Sequence, residues 1–339
     1  MRTEEFSFPL KEPLSTAAGT ISEREGLLVR VDGGVGEATP LPGWTESLAE
    51  CRRTLAAVDD PGVALADLDD RPAARHAIAL ALADREARER GVPLHRYLGG
   101  DASGPTERIP VNATIGDGSP EGTADAAREA VEAGFGTIKC KVGARPVDAD
   151  VRRVRAIREA VGPGPEVRLD ANGGWSREEA DRALDAFAAF DIAFVEQPLP
   201  ADDLAGYREL SSSVPVALDE SLAGRSPAEI EELGDAADVF VLKPMALGGV
   251  DRVVELGRCL ESVVVTTTID AVAARTAAVH AAAALGIDRA CGLATADFLQ
   301  TDLAPDPAPV SEGTIAVPQR PGLGIDGPWY PDAGGERDA

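Results

Sequence analysis

The chain has 339 residues, 44% of them apolar, and 33 basic against 58 acidic side chains give a net charge of −25. That length exceeds one ordinary compact domain unless the domain is an α/β barrel with additions. So much negative charge repels nucleic acid and argues against a DNA or RNA partner.

Residues 26–38 read as a short strand, a glycine turn and a second strand. Residues 46–57 and 72–90 carry apolar residues at helical spacing, and the second stretch stops at Gly91. Together these predict a small α+β capping domain over residues 1–105, ending in a polar linker that bears Gly and Pro. From residue 109 the chain alternates. Short β-type runs fall at 109–115, 136–142, 166–170, 192–196, 215–219, 238–243 and 262–268, and Ala-, Glu- and Arg-rich helical stretches separate most of them. Seven or eight strand–helix units in a row favour a closed parallel barrel over an open sheet. A doubly wound sheet would want a glycine-rich phosphate turn after its first strand, and Val111 to Gly116 does not supply one. The expected catalytic domain spans 106–305. Residues 306–339, rich in Pro, Gly and Asp, are expected to return over the capping domain.

The chain has only four lysines. Lys139, Lys141 and Lys243 lie inside apolar, strand-like runs, and arginine carries most of the remaining positive charge. Lysine can be tuned to release and regain a proton, whereas arginine stays protonated. From the second β-run to the sixth, every run ends in an ionisable residue: Lys139 and Lys141, Asp170, Glu196, Asp219, Lys243. The intervals from Lys141 onward are 29, 26, 23 and 24 residues, each about one strand–helix unit. In a barrel the C-terminal strand ends form a ring at one mouth, so three carboxylates and three amines should converge there. Three carboxylates together call for a cation, and oxygen-only ligands favour Mg²⁺ over Zn²⁺. Residues i and i+2 of a strand share a face, so Lys139 and Lys141 should enter the lumen and Cys140 should face the helices. Neighbouring ammonium groups beside a divalent ion lower each other's pKa and can poise one as a base. Arg168, two before Asp170, should also face the lumen, as a substrate contact or as a barrel-layer ion pair. Thr267 and Thr268, at the seventh strand end, are candidates for the substrate carboxylate or for turn hydrogen bonds.

Other features set the surroundings. The four cysteines are far apart and form no CxxC, so they are expected to be reduced thiols. No signal segment or bilayer-length apolar run is present, which predicts a cytoplasmic protein without a membrane partner. Dispersed acid with little lysine suggests a high-salt cytoplasm, an expectation that fails if the melting temperature does not rise from low salt to molar KCl. A small-molecule partner is expected, and a homo-oligomer is left open.

Lys139-x-Lys141, Asp170-x-Asn172, Glu196-Gln197-Pro198, Asp219-Glu220-Ser221 and Lys243-Pro244 resemble the enolase superfamily, in its muconate lactonizing enzyme branch. Within that branch the chain is most similar to the o-succinylbenzoate synthases. Gly36 to Thr45 is close to their Gly-Glu-x-x-Pro-Leu-Pro-Gly-aromatic-Ser/Thr signature, and Cys291 to Thr295 with Asp302-Leu303 resembles their last barrel strand. The resemblance implies a modified TIM barrel, (β/α)7β, with an α+β cap. It implies Asp170, Glu196 and Asp219 as Mg²⁺ ligands, Lys141 as base, and Lys243 as the lysine that steadies the intermediate. In a racemase Lys243 would be the second acid/base. Lys139 and Asn172 would orient the ligands, as would Asp270, which stands where the synthases often carry Glu. Thr16 to Arg24 would be a mobile loop closing over a carboxylate substrate. The implied reaction is loss of water from a succinyl-hydroxycyclohexadiene carboxylate, in menaquinone synthesis. The alternatives are racemisation of N-succinyl amino acids or dipeptide epimerisation. Dipeptide epimerases usually carry Asp-x-Asp on the last strand to hold the substrate's amino terminus; here Leu293-Ala294-Thr295-Ala296-Asp297 has one Asp. The His–Asp pair of the mandelate racemase branch is missing, so lysines must do the work.

Overall fold

The structure is a computed structural model, and it describes residues 1–16, 19–100 and 106–329. Three antiparallel strands come first: β1 (Arg2–Thr16), β2 (Gly19–Val31) and β3 (Gly34–Ala38). β1 has no counterpart in the sequence reading. Its alternation of Glu, Phe and Ser leaves one face to solvent, and only its pairing with β2 makes it a strand. β2 also absorbs Gly19 to Arg24, so the expected loop is instead the first part of a strand; Ala17 and Ala18 lie outside the described residues.

Helices α1 (Leu48–Ala56), α2 (Pro61–Ala64), α3 (Pro72–Glu89) and α4 (Leu94–Gly99) follow. α1 starts with a reciprocal capping box between Ser47 and Glu50. α3 is alanine-rich and buried over most of its surface, because it is sandwiched between the N-terminal sheet and the barrel. Its approach to β3 requires glycine: a Cβ on Gly36 would lie 1.9 Å from the Ala77 carbonyl oxygen.

The expected first barrel strand is split. β4 (Arg108–Pro110) pairs with the late hairpin β12 (Val310–Ser311) and β13 (Thr314–Ala316), and only β5 (Ala113–Ile115) joins the barrel. Pro110 has no N–H for a ladder, which places the break there. The barrel continues as β6 (Thr137–Lys141), β7 (Glu166–Asp170), β8 (Ile192–Glu196), β9 (Val216–Leu218), β10 (Val239–Leu242) and β11 (Val263–Val265), parallel and in sequence order. Between them run α5 (Pro120–Glu132), α6 (Val147–Val161), α7 (Arg177–Phe187), α8 (Leu204–Glu209), α9 (Pro227–Glu231), α10 (Pro244–Leu247) and α11 (Val250–Cys259), and α12 (Val272–Leu285) follows β11. Cys291 and Gly292 close the ring through single bridges to Val111 and Thr266. Closure again needs glycine, since a Cβ on Gly292 would meet the Thr266 hydroxyl at 2.5 Å. The fold is therefore a modified α/β barrel. Phe194, Ala217, Val239, Val241 and Val264 form one apolar cluster, while the sheet's other face joins the main core with the helices.

The N-terminal sheet is locked to the barrel. The buried Glu37 carboxylate accepts the backbone N–H groups of Ala271 (2.8 Å) and Ala274 (2.9 Å), capping α12 from another sheet. Burial and nearby Asp270 push Glu37 up to about 7, against the Thr39 and Ala274 donors that hold it down. The tail crosses the same seam. Leu94 N–H donates to the Gly322 carbonyl (2.8 Å) and Leu323 N–H to Asp84 (2.8 Å). No helix among the described residues is long and apolar enough to cross a membrane.

Candidate active site

Each apolar strand run delivers its terminal polar residue to one rim. β6, β7 and β8 are in register so that Lys141 faces Asp170 and Asp170 faces Glu196. Lys139 donates to Asp170 (2.8 Å) and to Glu196 (2.7 Å). Lys141 donates to Asp170 (2.7 Å) and to the Asn172 side-chain oxygen (2.8 Å). Across the rim, Lys243 donates to Asp219 (2.6 Å). The carboxylates are almost wholly buried, whereas Lys141 is 38% exposed and Lys243 only 12%. Cys140 faces the helices, within 3.5 Å of Arg153 on α6.

The charges are unevenly shared. Burial alone would raise Asp170, but two ammonium groups hold it well below the carboxylate range. Glu196 has only a share of Lys139; burial and Asp170 push it up to about 8. Burial raises Asp219 as well, against Lys243. For Lys139, burial opposes the charged form, and the charges of Asp170, Glu196 and Asp219 outweigh it and raise the pKa. One oxygen of Asp219 is buried with no hydrogen-bond partner, as is one of Glu220. Among the described residues no three acidic, His or Cys side chains stand around a common point as a finished metal cage. The amines take up the carboxylate oxygens instead. Orphaned anionic oxygens and a carboxyl pushed toward neutrality are what a cation relieves, so the residues present fit a hard divalent ion.

The remaining candidates divide. Asn172 reaches Lys141, donates its backbone N–H to Asp170 (3.0 Å) and its side-chain N–H to Glu220 (2.9 Å). Arg168 takes the barrel-layer position: it donates to Glu166 (2.6 Å) and the Ala290 carbonyl (2.6 Å) and lies over the Phe194 ring. With those partners it sits in the layer of Lys139, its register partner on β6, and hydrogen-bonds none of Asp170, Glu196 and Asp219. Thr267 exchanges a hydrogen bond with Thr295 (3.0 Å), and Thr268 donates to Asp270 (2.5 Å). Asp270 thus engages its own turn and none of the lysines. Arg24, far from a loose loop, is buried and donates to the Thr39, Pro40 and Ile269 carbonyls.

Three contributors escaped the sequence reading. Gln197 ties Glu196 to the next strand end: its oxygen accepts the N–H groups of Asp219 (2.9 Å) and Ser221 (3.2 Å), and its nitrogen donates to the Ser221 hydroxyl (2.8 Å). Glu220 adds a fourth acid beside Asp219. Trp44 lays its ring 3.4 Å from the Lys243 nitrogen. Gln197 and Glu220 stand inside the motifs quoted above, next to the residues chosen. Asn172, Gln197 and Ile269 all have positive φ, in the turns that follow β7, β8 and β11.

A closed parallel barrel with buried carboxylates and lysines ringed on its strand ends is the architecture of an enzyme that moves a proton beside a cation. Residues 122–329 match the family described as enolase C-terminal domain-like. The chain is 35% identical to the o-succinylbenzoate synthase of Thermobifida fusca, over 90% of this chain and 85% of that protein. It is 31% identical to the L-Ala-D/L-Glu epimerase of Bacillus subtilis, over 96% of each. A solved dipeptide epimerase from Enterococcus faecalis, complexed with Mg and the dipeptide L-Leu-L-Tyr, superposes with a TM-score of 0.82 at 28% identity, covering 96% of this chain and 98% of that one. The chain belongs to the enolase superfamily.

Proposed function

We propose that this enzyme is an o-succinylbenzoate synthase-like dehydratase that uses Mg²⁺ and acts in menaquinone synthesis. Asp170, Glu196 and Asp219 would hold the ion, with Lys139 and Asn172 orienting them. When bound there, the ion would supply positive charge for a substrate carboxylate. Lys141, at the open side of the cup, takes the α-proton. The electron pair left at the α-carbon forms the ring double bond as the β-hydroxyl departs, and Lys141 returns the proton to the hydroxyl to give water. Lys243 stays on the far side as a fixed positive charge. Aromatisation drives the step, so the residues need only place the proton and steady the enediolate.

The observation that favours this reading over dipeptide epimerisation is the position of Asp297. It is the one acid of the last-strand motif, its side chain is fully exposed, and it pairs with Lys11 of β1 (3.1 Å). A residue turned outward to Lys11 does not hold a peptide ammonium in the cup. The test is a parallel assay of dehydration, of α-proton exchange on N-succinyl amino acids and of dipeptide epimerisation. Dehydration is expected to show the largest kcat/KM. A dipeptide epimerised faster than the diene carboxylate is dehydrated would overturn the assignment.

A further inference from the structure

The Gly36–Thr45 stretch marks this branch by sequence, yet nothing above gives its aromatic residue a task. The geometry points to Trp44 as a positioning residue for Lys243: its π face fixes where the ammonium sits over Asp219.

The turn that carries Trp44 is built to hold it still. The N–H groups of Trp44 and Thr45 donate to the Leu41 carbonyl (3.0 and 3.1 Å), and the Leu41 N–H donates to the Thr45 hydroxyl (2.9 Å). Behind the turn, Glu46 accepts the N–H groups of Ala73 (3.1 Å) and Ala74 (2.8 Å) at the start of α3. Ahead of it, Arg24 binds the Thr39 and Pro40 carbonyls. A second contact ties the same segment to the lysine's own strand end, where Thr39 N–H meets the Met245 sulfur at 3.5 Å, two residues past Lys243.

Lys243 therefore has two fixed neighbours, the Asp219 carboxylate at 2.6 Å and the Trp44 ring at 3.4 Å. A lysine stem has four rotatable carbons and loses much freedom when its end is pinned. One carboxylate fixes a distance but leaves the stem free to swing about it. An aromatic face on the ammonium removes that freedom without adding a hydrogen-bond acceptor, so the charge keeps a direction for the substrate. Among the described residues no aromatic ring covers Lys141. Its partners are Asp170 and Asn172, and its nitrogen stands at the more exposed side of the cup. The difference sorts the two amines into one covered by an aromatic face and one more open to the cup.

This inference rests on the proposed role of Lys243, and the experiment separates the two. With only four lysines in the chain, ¹³C-lysine labelling gives four ε-methylene signals, and Lys243→Arg assigns the one of interest. Its ring-current shift reports the Trp44 contact without metal or substrate. The shift should be present in the parent, be retained in part in Trp44→Phe and vanish in Trp44→Leu. In turnover, Trp44→Leu should lower kcat by roughly 3- to 30-fold, the range of a cation–π contact, with KM little changed. Trp44→Phe should recover most of the loss. Combined with Lys243→Met, Trp44→Leu should cost nothing further. A parent without the shifted signal overturns the contact whatever the reaction proves to be. A lost shift with unchanged kcat overturns the positioning role, and a rise in KM alone makes Trp44 a substrate contact instead. If the parent racemises and does not dehydrate, the function proposed above fails, and the same kcat comparison on the racemase reaction still decides the role of Trp44.

Discussion

Two regions of this molecule bury titratable side chains completely, and they treat them in opposite ways. At the barrel mouth, Asp170, Glu196 and Asp219 are buried with three amines. At the seam under the tail, His95 and His280 are buried as stacked rings, 5.5 Å apart. His280 accepts the His95 backbone N–H on Nδ1 (3.2 Å) and faces the Leu323 carbonyl with Nε2 (3.2 Å), which fixes a neutral tautomer with the proton on Nε2. Burial then pushes His280 down to about 3. Burial penalises charge in both places, and what differs is whether an opposite charge stands close enough to offset it. At the seam no opposite charge among the described residues offsets burial, and the His95 N–H occupies the Nδ1 lone pair, so the ring stays neutral and structural, while opposite charges shared unevenly at the mouth leave protons to be moved. Of the two groups, histidine is the ordinary general base near neutral pH, yet here it has the structural task.

If that contrast is right, changes at the mouth should remove activity and spare stability, and changes at the seam should do the reverse. The largest effect belongs to Lys141→Ala, which removes the proposed base and no ligand. It should lower kcat by about 10²–10⁴-fold with melting and metal binding unchanged. Residual activity within about tenfold of the parent would rule out Lys141 as the base. Asp219→Asn comes next. It should weaken Mg²⁺ binding by calorimetry and lower activity together, since one of three anionic ligands is lost. Lower activity at unchanged affinity would remove Asp219 from the ligand set.

The mouth was the more legible region in the sequence, and the reason is physical. An apolar run that ends in Lys139-x-Lys141, Asp170, Glu196, Asp219 or Lys243 places a costly group where only a shared site can compensate it, and the regular spacing brings those ends to one rim. What was not legible depends on contacts between distant segments. β1 is a strand only through its partner. The run 109–115 looked continuous until Pro110 diverted its first half to the hairpin at 310–316. Trp44 and Arg24 acquire their neighbours only when the N-terminal sheet docks. For Arg168 period two gave the face but left two roles open, and the Glu166 and Ala290 acceptors make it the barrel-layer ion pair.

Lys243→Arg sharpens the contrast within the mouth. It keeps a charge near Asp219 and abolishes practical proton transfer, since guanidinium does not deprotonate in proteins. If Lys243 is a fixed charge, the variant keeps a larger fraction of dehydration than of racemisation, measured as the ratio of kcat/KM losses on the two substrates. Equal proportional losses would mean that the two lysines do not divide the work as proposed.

The smallest effect on turnover is expected at the seam, where the measurement is stability against pH. A histidine whose folded pKa lies below its unfolded value of about 6.5 binds fewer protons folded than unfolded. Its contribution is complete above that unfolded value and is lost as pH falls toward about 3. Between pH 6.5 and 5 the loss is about 1.5 kcal/mol. Glu37, pushed up to about 7, works in the other direction, losing stability as pH rises through that value. That slope and the like one of Glu196 at the mouth partly cancel the His280 slope in the parent, so the parent alone is a poor witness. His280→Gln removes the last of these. Urea unfolding of the variant at pH 7.5 should show a loss from the missing seam contacts, and between pH 6.5 and 5 its stability should fall less than the parent's, or rise. Its kcat at pH 7.5 should match the parent's. A variant with the parent's acid slope would show that His280 is not the group titrating at the seam, and a large fall in kcat would break the division between a region that holds charge and one that excludes it.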